Sequence, residues 1–397
     1  MRPRLHLVVS GLAAVSSACT QHAFVDTIMT SAYRSGPLPS APPLAERRLL
    51  AGDFHCHVSP PDAAWDVTRD LADTVALAHR EGLDFLVLTP HVPARFFADP
   101  AELAWVVSSQ RALRSAIASA DTQGLIVVAG FEYTDHEHGH VGMAFADLEE
   151  VVQDAPPDTF VRFPERFFDA WVAHGGTMIV NHPLVTPIER PVIPISMARA
   201  DLSWRPWTRG WTPAEIAEID ALATGWEVYN LSATHLRDRY LLHDPTHTLV
   251  ASFAHLDAQI ARRRARMTPV GGSDSHGEHL RATTFVRVSA RSPEGLRAGL
   301  LAGRTCVRDP AACSLEARSL AGPWVSVGGS IEGADQIELR ARGTRVAAFV
   351  AGHETLVPTD GHPRLVDVRT DRCIPVRAVI DGGYSAPIYV NCRLRPL

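Results

Sequence analysis

A chain of 397 residues with 46% hydrophobic side chains is long enough for one large domain and a smaller one. Its formal net charge of −6 argues against a polybasic binder of nucleic acid or membrane surface. All 38 basic residues are arginine, and without lysine there is no Schiff-base, phosphate-loop or carboxylated-lysine chemistry.

In chain order, Arg2 and Arg4 precede the apolar run "LHLVVSGLAAV" and the box "SSAC", so residues 1–19 read as an export segment. The run is too short to span a bilayer as a mature helix. The box resembles that of a bacterial lipoprotein with Cys19 acylated; ordinary cleavage after Ala18 is the alternative. Residues 20–48, rich in Pro, Ser and Ala, read as a tether. From residue 49, strand and helix patterns alternate. "LLAGDFHCH", "LDFLVLT", "LIVVAGFE", "HVGMAF", "TMIVNH", "GWEVYN" and "TPVGGSDSH" are strands. Between them "VTRDLADTVALAHREG", "PAELAWVVSSQRALRSAIASA", "PERFFDAWVAHG", "PAEIAEIDAL" and "TLVASFAHLDAQIARRR" carry helical spacing. This order predicts an α/β fold, a parallel β/α barrel over residues 49–304. Residues 305–397 hold short strand-length runs separated by Gly, Asp and Pro, as in a small β-sandwich. Export permits disulfides, and we expect Cys306–Cys313 and Cys373–Cys392, with Cys56 an inert buried thiol.

The polar residues fall at strand ends. Strand one ends in His55 and His57, strand two in His91, strand three in Glu132. The next opens at His140, and later ones end at His182, near Glu227, and at Asp274 and His276. In a β/α barrel these ends converge on one face. Residues i and i+2 of a strand point the same way, so His55 and His57 can grip one ion while Cys56 turns away. Asp274 and His276 repeat the device. So many polar groups packed together call for a cation, and imidazole with carboxylate suits Zn, Mn or Fe.

The set "HCH", "TPH", "GFE", "GHV", "NHP", "EVYN" and "GSDSH" resembles the PHP (polymerase and histidinol phosphatase) superfamily over roughly residues 50–290. Within it, an exported domain with a β-rich tail looks most like the carbaryl-hydrolase-like metallohydrolases. The resemblance implies a distorted seven-stranded β/α barrel and two or three divalent metals. It implies one metal on His55, His57, Glu132 and Asp274. A second is implied on His140 and His182 with Glu132 bridging, and a third on Asp62, His91 and His276. Two departures stand out: Pro90 replaces the usual Asp before His91, and "VSPPDAA" spaces Asp62 differently from the commonest "SDG" form.

The expected reaction is ester hydrolysis. Two cations bridged by Glu132 would lower the pKa of a shared water towards about 7, and Asp274 would take its proton. The substrate is a phosphoester, or an aryl carboxyl or carbamate ester. The insertion after His182, with Trp204, Trp207 and Trp211, is either an aromatic lid or packing. The expected partner is a small-molecule ester, with no nucleic acid, and with membrane contact only through the N-terminal lipid. The alternative is a non-catalytic, metal-binding surface lipoprotein whose β-domain binds a partner. His136 and His138 either compete with His140 or lie in a solvated loop. Glu227 and Asn230 resemble a family motif or brace the rim. His243, His247 and His255 read as structural.

Overall fold

The computed structural model describes residues 48–156, 158–186, 201–210, 212–233, 249–277, 279–342, 346–351, 354–356, 363–380 and 382–395. The expected export segment with Cys19 and the expected tether, together residues 1–47, and also Trp211, His243 and His247, lie outside the described residues. Among the described residues no helix is long and apolar enough to cross a membrane.

The first strand, β1 (Leu49–Cys56), is buried along almost its whole length, as expected of a strand covered on both faces. It pairs in parallel with β2 (Phe85–Leu88), and β2 with β4 (Ile126–Asp135). The short β3 (His91–Pro93) lies parallel to the end of β4 and sets His91 opposite Glu132. Next come β5 (Gly139–Ala144), β6 (Thr177–Val180), β7 (Gly225–Asn230) and β8 (Thr268–Gly272). The sheet curls until its last strand returns to its first. Cys56 and Ser275 form a parallel bridge there, and Asp274 N–H donates to His55 O at 2.8 Å.

The barrel is not purely parallel. β5 runs antiparallel to both β4 and β6. Only residues 136–138 separate β4 from β5, whereas a parallel return needs about a dozen residues. A hairpin is therefore forced.

The helices are α1 (Leu71–Arg80), α2 (Pro100–Ser119), α3 (Leu148–Gln153), α4 (Thr159–Arg162), α5 (Glu165–Ala173), α6 (Arg205–Thr208), α7 (Ala214–Leu222), α8 (Leu249–Arg263) and α9 (Pro293–Leu301). The pattern places the start of α1 at Val67. It begins at Leu71 because Asp70 caps it, accepting from Asp73 N–H at 2.9 Å. Strand alternation sends Phe131 and Tyr133 outward, opposite to Glu132. There they join Phe96, Phe167, Phe168 and Trp171 in a buried aromatic cluster.

On the other edge of β1, β9 (Thr284–Arg287) pairs antiparallel, followed by β10 (Thr305–Val307). Through β19 (Gly383–Ser385) the sheet continues into β18 (Ile374–Ile380) and β20 (Ile388–Val390), with β13 (Ser330–Ile331) beside β20, β15 (Val346–Ala351) beside β18 and β16 (Glu354–Leu356) beside β15. A second, separate sheet holds β12 (Val325–Ser326), β11 (Glu316–Ser319), β14 (Gln336–Arg340) and β17 (Arg364–Asp367), in that order. Leu315, Ile337 and Leu339 share a core with Val376, Ile380 and Ile388, giving the sandwich-like packing expected of this part. Cys306 is bonded to Cys313 and Cys373 to Cys392, while Cys56 is free and buried.

Candidate metal centre

At the mouth of the curled sheet the strand-end residues converge. His55 Nε2 and His57 Nε2 lie 3.2 Å apart. Asp274 Oδ1 is 3.5 Å from the first and 3.3 Å from the second. Glu132 sits centrally. Its Oε1 is 3.2 Å from His55 Nε2, 3.3 Å from His140 Nδ1 and 3.7 Å from His182 Nε2. Its Oε2 is 3.4 Å from His91 Nε2 and 3.9 Å from His57 Nε2. The ring of His57 lies between those of His91 and His276, with centroids 4.2 and 4.0 Å away. All nine expected site residues except Asp62 thus reach the interior of one cluster.

The outer nitrogens explain the orientation. His55 Nδ1 donates to Glu227 Oε1 at 3.2 Å. His57 Nδ1 donates to Asp62 Oδ2, and His91 Nδ1 to Asp62 Oδ1, each at 3.1 Å. His182 Nδ1 donates to Leu202 O at 2.9 Å, and His276 Nδ1 to Asp274 O at 3.1 Å. Five imidazoles therefore carry their proton on Nδ1, because each faces an acceptor that has no proton to give. Their Nε2 atoms are left for the centre. Asp62 is in the cluster but on its outside, with both oxygens turned to the Nδ1 atoms of His57 and His91 and one also accepting from His91 N–H.

This arrangement passes the chemical test for a cation. Two imidazole nitrogens 3.2 Å apart with carboxylate oxygens beside them call for positive charge between them, from a proton or a metal ion. Three groups have all their donor atoms within 4.8 Å of one another: His55, His57 and Asp274; His55, Glu132 and His182; His57, His91 and His276. Nitrogen with carboxylate oxygen is the donor set of Zn, Mn and Fe.

Burial opposes charge on every group here, and the neighbours decide which groups overcome it. Hydrogen bonds to Asp274 and Asp62 outweigh the burial of His57 and push it up to about 9. Asp274, Glu132 and Glu227 raise His55, and Glu132 raises His182. At His140 and His276 burial prevails and holds them below the usual histidine range. Despite burial, the surrounding imidazoles hold Asp62, Glu132 and Asp274 below the usual carboxylate range. The carboxylates thus stay ionised, as a cation site requires.

Several parts of the site are beyond a reading of strand ends. Asn181 Nδ2 donates to Glu132 Oε1 at 2.8 Å. Asn230 Nδ2 lies 3.2 Å from both Glu227 Oε2 and Asp274 Oδ2. Asp53 fastens β1 to the end of β8, accepting from His55 N–H at 3.1 Å, from Ser273 N–H at 2.9 Å and from the Ser273 hydroxyl. Burial pushes the Asp53 carboxyl up to about 6. Gly272 allows the close approach: a Cβ there would lie 2.0 Å from Glu227 Oε1 and 2.4 Å from His55 Cβ. His182 and Asp274 hold left-handed backbone, with φ of 31° and 53°, a strain typical of functional residues.

The aromatic lid is corrected for the two tryptophans described. Trp204 is fully buried, and the indole N–H groups of Trp204 and Trp207 each donate to Asp220 Oδ1 at 3.1 Å. Trp207 stacks on Trp226 and meets His255 at 4.2 Å. Both pack the returning end of the insertion against β7 and α7, which buries their large apolar area and satisfies both N–H groups. His138 points to Asp135 Oδ2 at 2.8 Å and lies outside the three donor groups.

No protein-family model matches the sequence, and no curated protein matches it. Solved structures do align. One is a two-domain protein from Bacteroides vulgatus containing a predicted PHP-like metal-dependent phosphoesterase: 17% identity, 90% of this chain and 99% of that one, TM-score 0.41. Another is the lesion-specific endonuclease Q from Pyrococcus furiosus: 15% identity, 70% of this chain and 64% of that one, TM-score 0.37. A third is an endonuclease Q complex with a 27-mer duplex carrying an abasic lesion: 15% identity, 64% and 56% coverage, TM-score 0.37. This chain spans less than two thirds of either endonuclease Q chain. The expected partner, a small-molecule ester with no nucleic acid, is corrected on this point: DNA-acting proteins are among the structures it resembles.

Proposed function

We propose that this protein is a PHP-type, metal-dependent hydrolase acting on phosphoesters. The observation that carries the proposal is the shared orientation of five imidazoles, each with Nδ1 tied outward and Nε2 directed inward. His55, His57, Asp274 and Glu132 would hold one divalent ion, and Glu132, His140 and His182 a second. His91 and His276 would complete a third position beside His57. Asp62 and Glu227 orient imidazoles rather than bind. Bound there, the ions supply Lewis acidity and a water of lowered pKa. Asp274 Oδ1, facing the same space as the two inward nitrogens, takes the proton of the attacking water. Asn230, on Asp274 Oδ2, keeps that carboxylate in place.

A site held together by bridging carboxylate and imidazole suits a phosphoryl group, whose oxygens need clamping on both the attacking and leaving sides. The carbaryl-hydrolase-like alternative loses its supporting feature, because Trp204 and Trp207 pack into the body of the protein. Metal-supplemented protein should hydrolyse bis-p-nitrophenyl phosphate, p-nitrophenyl phosphate or an oligonucleotide. It should lose that activity on chelation and leave aryl carbamates and carboxyl esters intact. Carbamate or carboxyl-ester turnover without phosphoester turnover would reverse the assignment.

Export with Cys19 as a lipid anchor belongs to the same proposal, since two or more acyl chains hold a protein stably where one does not. Cys19→Ser should move the protein from the membrane to the soluble envelope fraction with hydrolysis unchanged, because every proposed ligand lies at residue 55 or beyond. A wild-type protein already in the soluble fraction after osmotic shock would remove the anchor.

A further inference from the structure

Arg69 has no part in the site described above, yet it touches the back of it. The residue is 1% exposed. Its Nη2 donates to Ser275 Oγ at 2.8 Å and to Ser275 O at 3.2 Å, and lies 3.7 Å from Cys56 Sγ. Cys56 stands between His55 and His57; Ser275 stands between Asp274 and His276. One guanidinium therefore grips the middle residue of both ligand pairs.

It does so where the curled sheet closes. Cys56 and Ser275 form the bridge between the first and last strands, with His57 N–H donating to Ser275 O at 3.1 Å. The segment carrying Arg69 is stitched to the same place. Thr68 N–H donates to His276 O at 3.0 Å, and Ser59 N–H to Arg69 O at 2.9 Å. The seam is also tied on its other side, by Asp274 N–H to His55 O and by Ser273 to Asp53. Backbone bonds thus join the two pairs, and Arg69 adds a side-chain clamp on the middle residue of each.

A buried guanidinium is costly unless its surroundings use it. Among the described residues Arg69 has no carboxylate partner, and its Nε and Nη1 have no acceptor. Its contacts are a hydroxyl, a carbonyl and a thiol, which fix position rather than neutralise charge. All three contacts are made by the one nitrogen Nη2, which the planar guanidinium holds in place, whereas a lysine ammonium sits at the end of a flexible four-carbon stem.

We propose that Arg69 is a positioning residue of the metal centre, setting the distance between the His55/His57 pair and the Asp274/His276 pair. The inference rests on the metal-centre reading. The positions that draw on both pairs, the one on His55, His57 and Asp274 and the one on His57, His91 and His276, depend on Arg69. The ion held by Glu132, His140 and His182 does not, because its ligands sit on β4, β5 and the end of β6, and Asn181 braces them.

The test is calorimetric titration of chelator-stripped, full-length protein with Mn²⁺ alone, at one pH. The unsubstituted chain is compared with Arg69→Met, Arg69→Lys and Ser275→Ala. Binding at the positions that draw on those pairs should weaken by about 10- to 100-fold in Arg69→Met and Ser275→Ala, as for other partners behind metal ligands. The remaining position should keep its affinity, and Arg69→Lys should recover only part of the loss. Equal weakening of every step, no weakening, or tighter binding on removal of the positive charge would each overturn the role. If Arg69→Met does not fold, Ser275→Ala, which deletes one hydroxyl, decides alone. If the unsubstituted chain binds no Mn²⁺, the metal-centre reading fails and Arg69's role with it; Mn²⁺ binding that Ser275→Ala leaves intact overturns Arg69's role only.

Discussion

The His55→Ala, His57→Ala double variant should fall from about two bound ions per chain to below about half an ion, as a multi-ligand site does when two of its nitrogens go. The two inward nitrogens lie within 3.2 Å of each other, and His55 and His57 between them enter all three donor groups. No other pair removes so much. Elemental analysis after gel filtration in metal-free buffer measures the loss, with circular dichroism to show that the fold persists. Full retention of metal in the folded double variant would dismiss the site as drawn.

Glu132→Gln should lower phosphoester turnover by at least about 10³-fold, which is about 4 kcal/mol at the transition state. The carboxylate faces His55, His140 and His182 with one oxygen and His57 and His91 with the other. Glutamine keeps the volume but brings an N–H₂ group and no charge into a space of lone pairs. Asp62→Asn makes the comparison informative. Its oxygens serve only outward-facing nitrogens and the His91 N–H, so about 10- to 100-fold is expected there. If Asp62→Asn proved as damaging as Glu132→Gln in kcat and metal content alike, the division between binding and orienting carboxylates would be wrong.

Much of this centre is legible in the sequence because strand geometry is local. The i, i+2 pairs His55/His57 and Asp274/His276 follow from the alternation of a strand, and the strand ends converge because the sheet curls. Glu132 is identified the same way, between outward Phe131 and Tyr133. The direction of β5 is less legible: the three-residue loop forbids a parallel return, but the apolar run "HVGMAF" reads alike in either direction. Roles that depend on contacts distant in sequence are hidden. Asp62 carries the same carboxylate whether it meets an ion or an imidazole N–H, and only the fold turns it outward. Asp53, Asn181 and Arg69 act through residues more than 40 positions away, which no spacing reveals. Trp204 and Trp207 mislead for a related reason. Aromatic residues in an insertion fit a lid or a core equally, and the choice lies with Asp220, whose carboxylate accepts both indole N–H groups.

The most direct measurement of the central claim is a crystal structure of the metal-loaded protein, with anomalous scattering recorded at the metal edge. The account predicts at least two ions, with the Nε2 atoms of His55, His57, His91, His182 and His276 at about 2.0–2.2 Å from metal. It also predicts that their Nδ1 atoms remain on Glu227, Asp62, Leu202 O and Asp274 O. Ions bound through the Nδ1 atom of any of these five histidines, or anomalous peaks confined to the protein surface with this cluster left without metal, would contradict it.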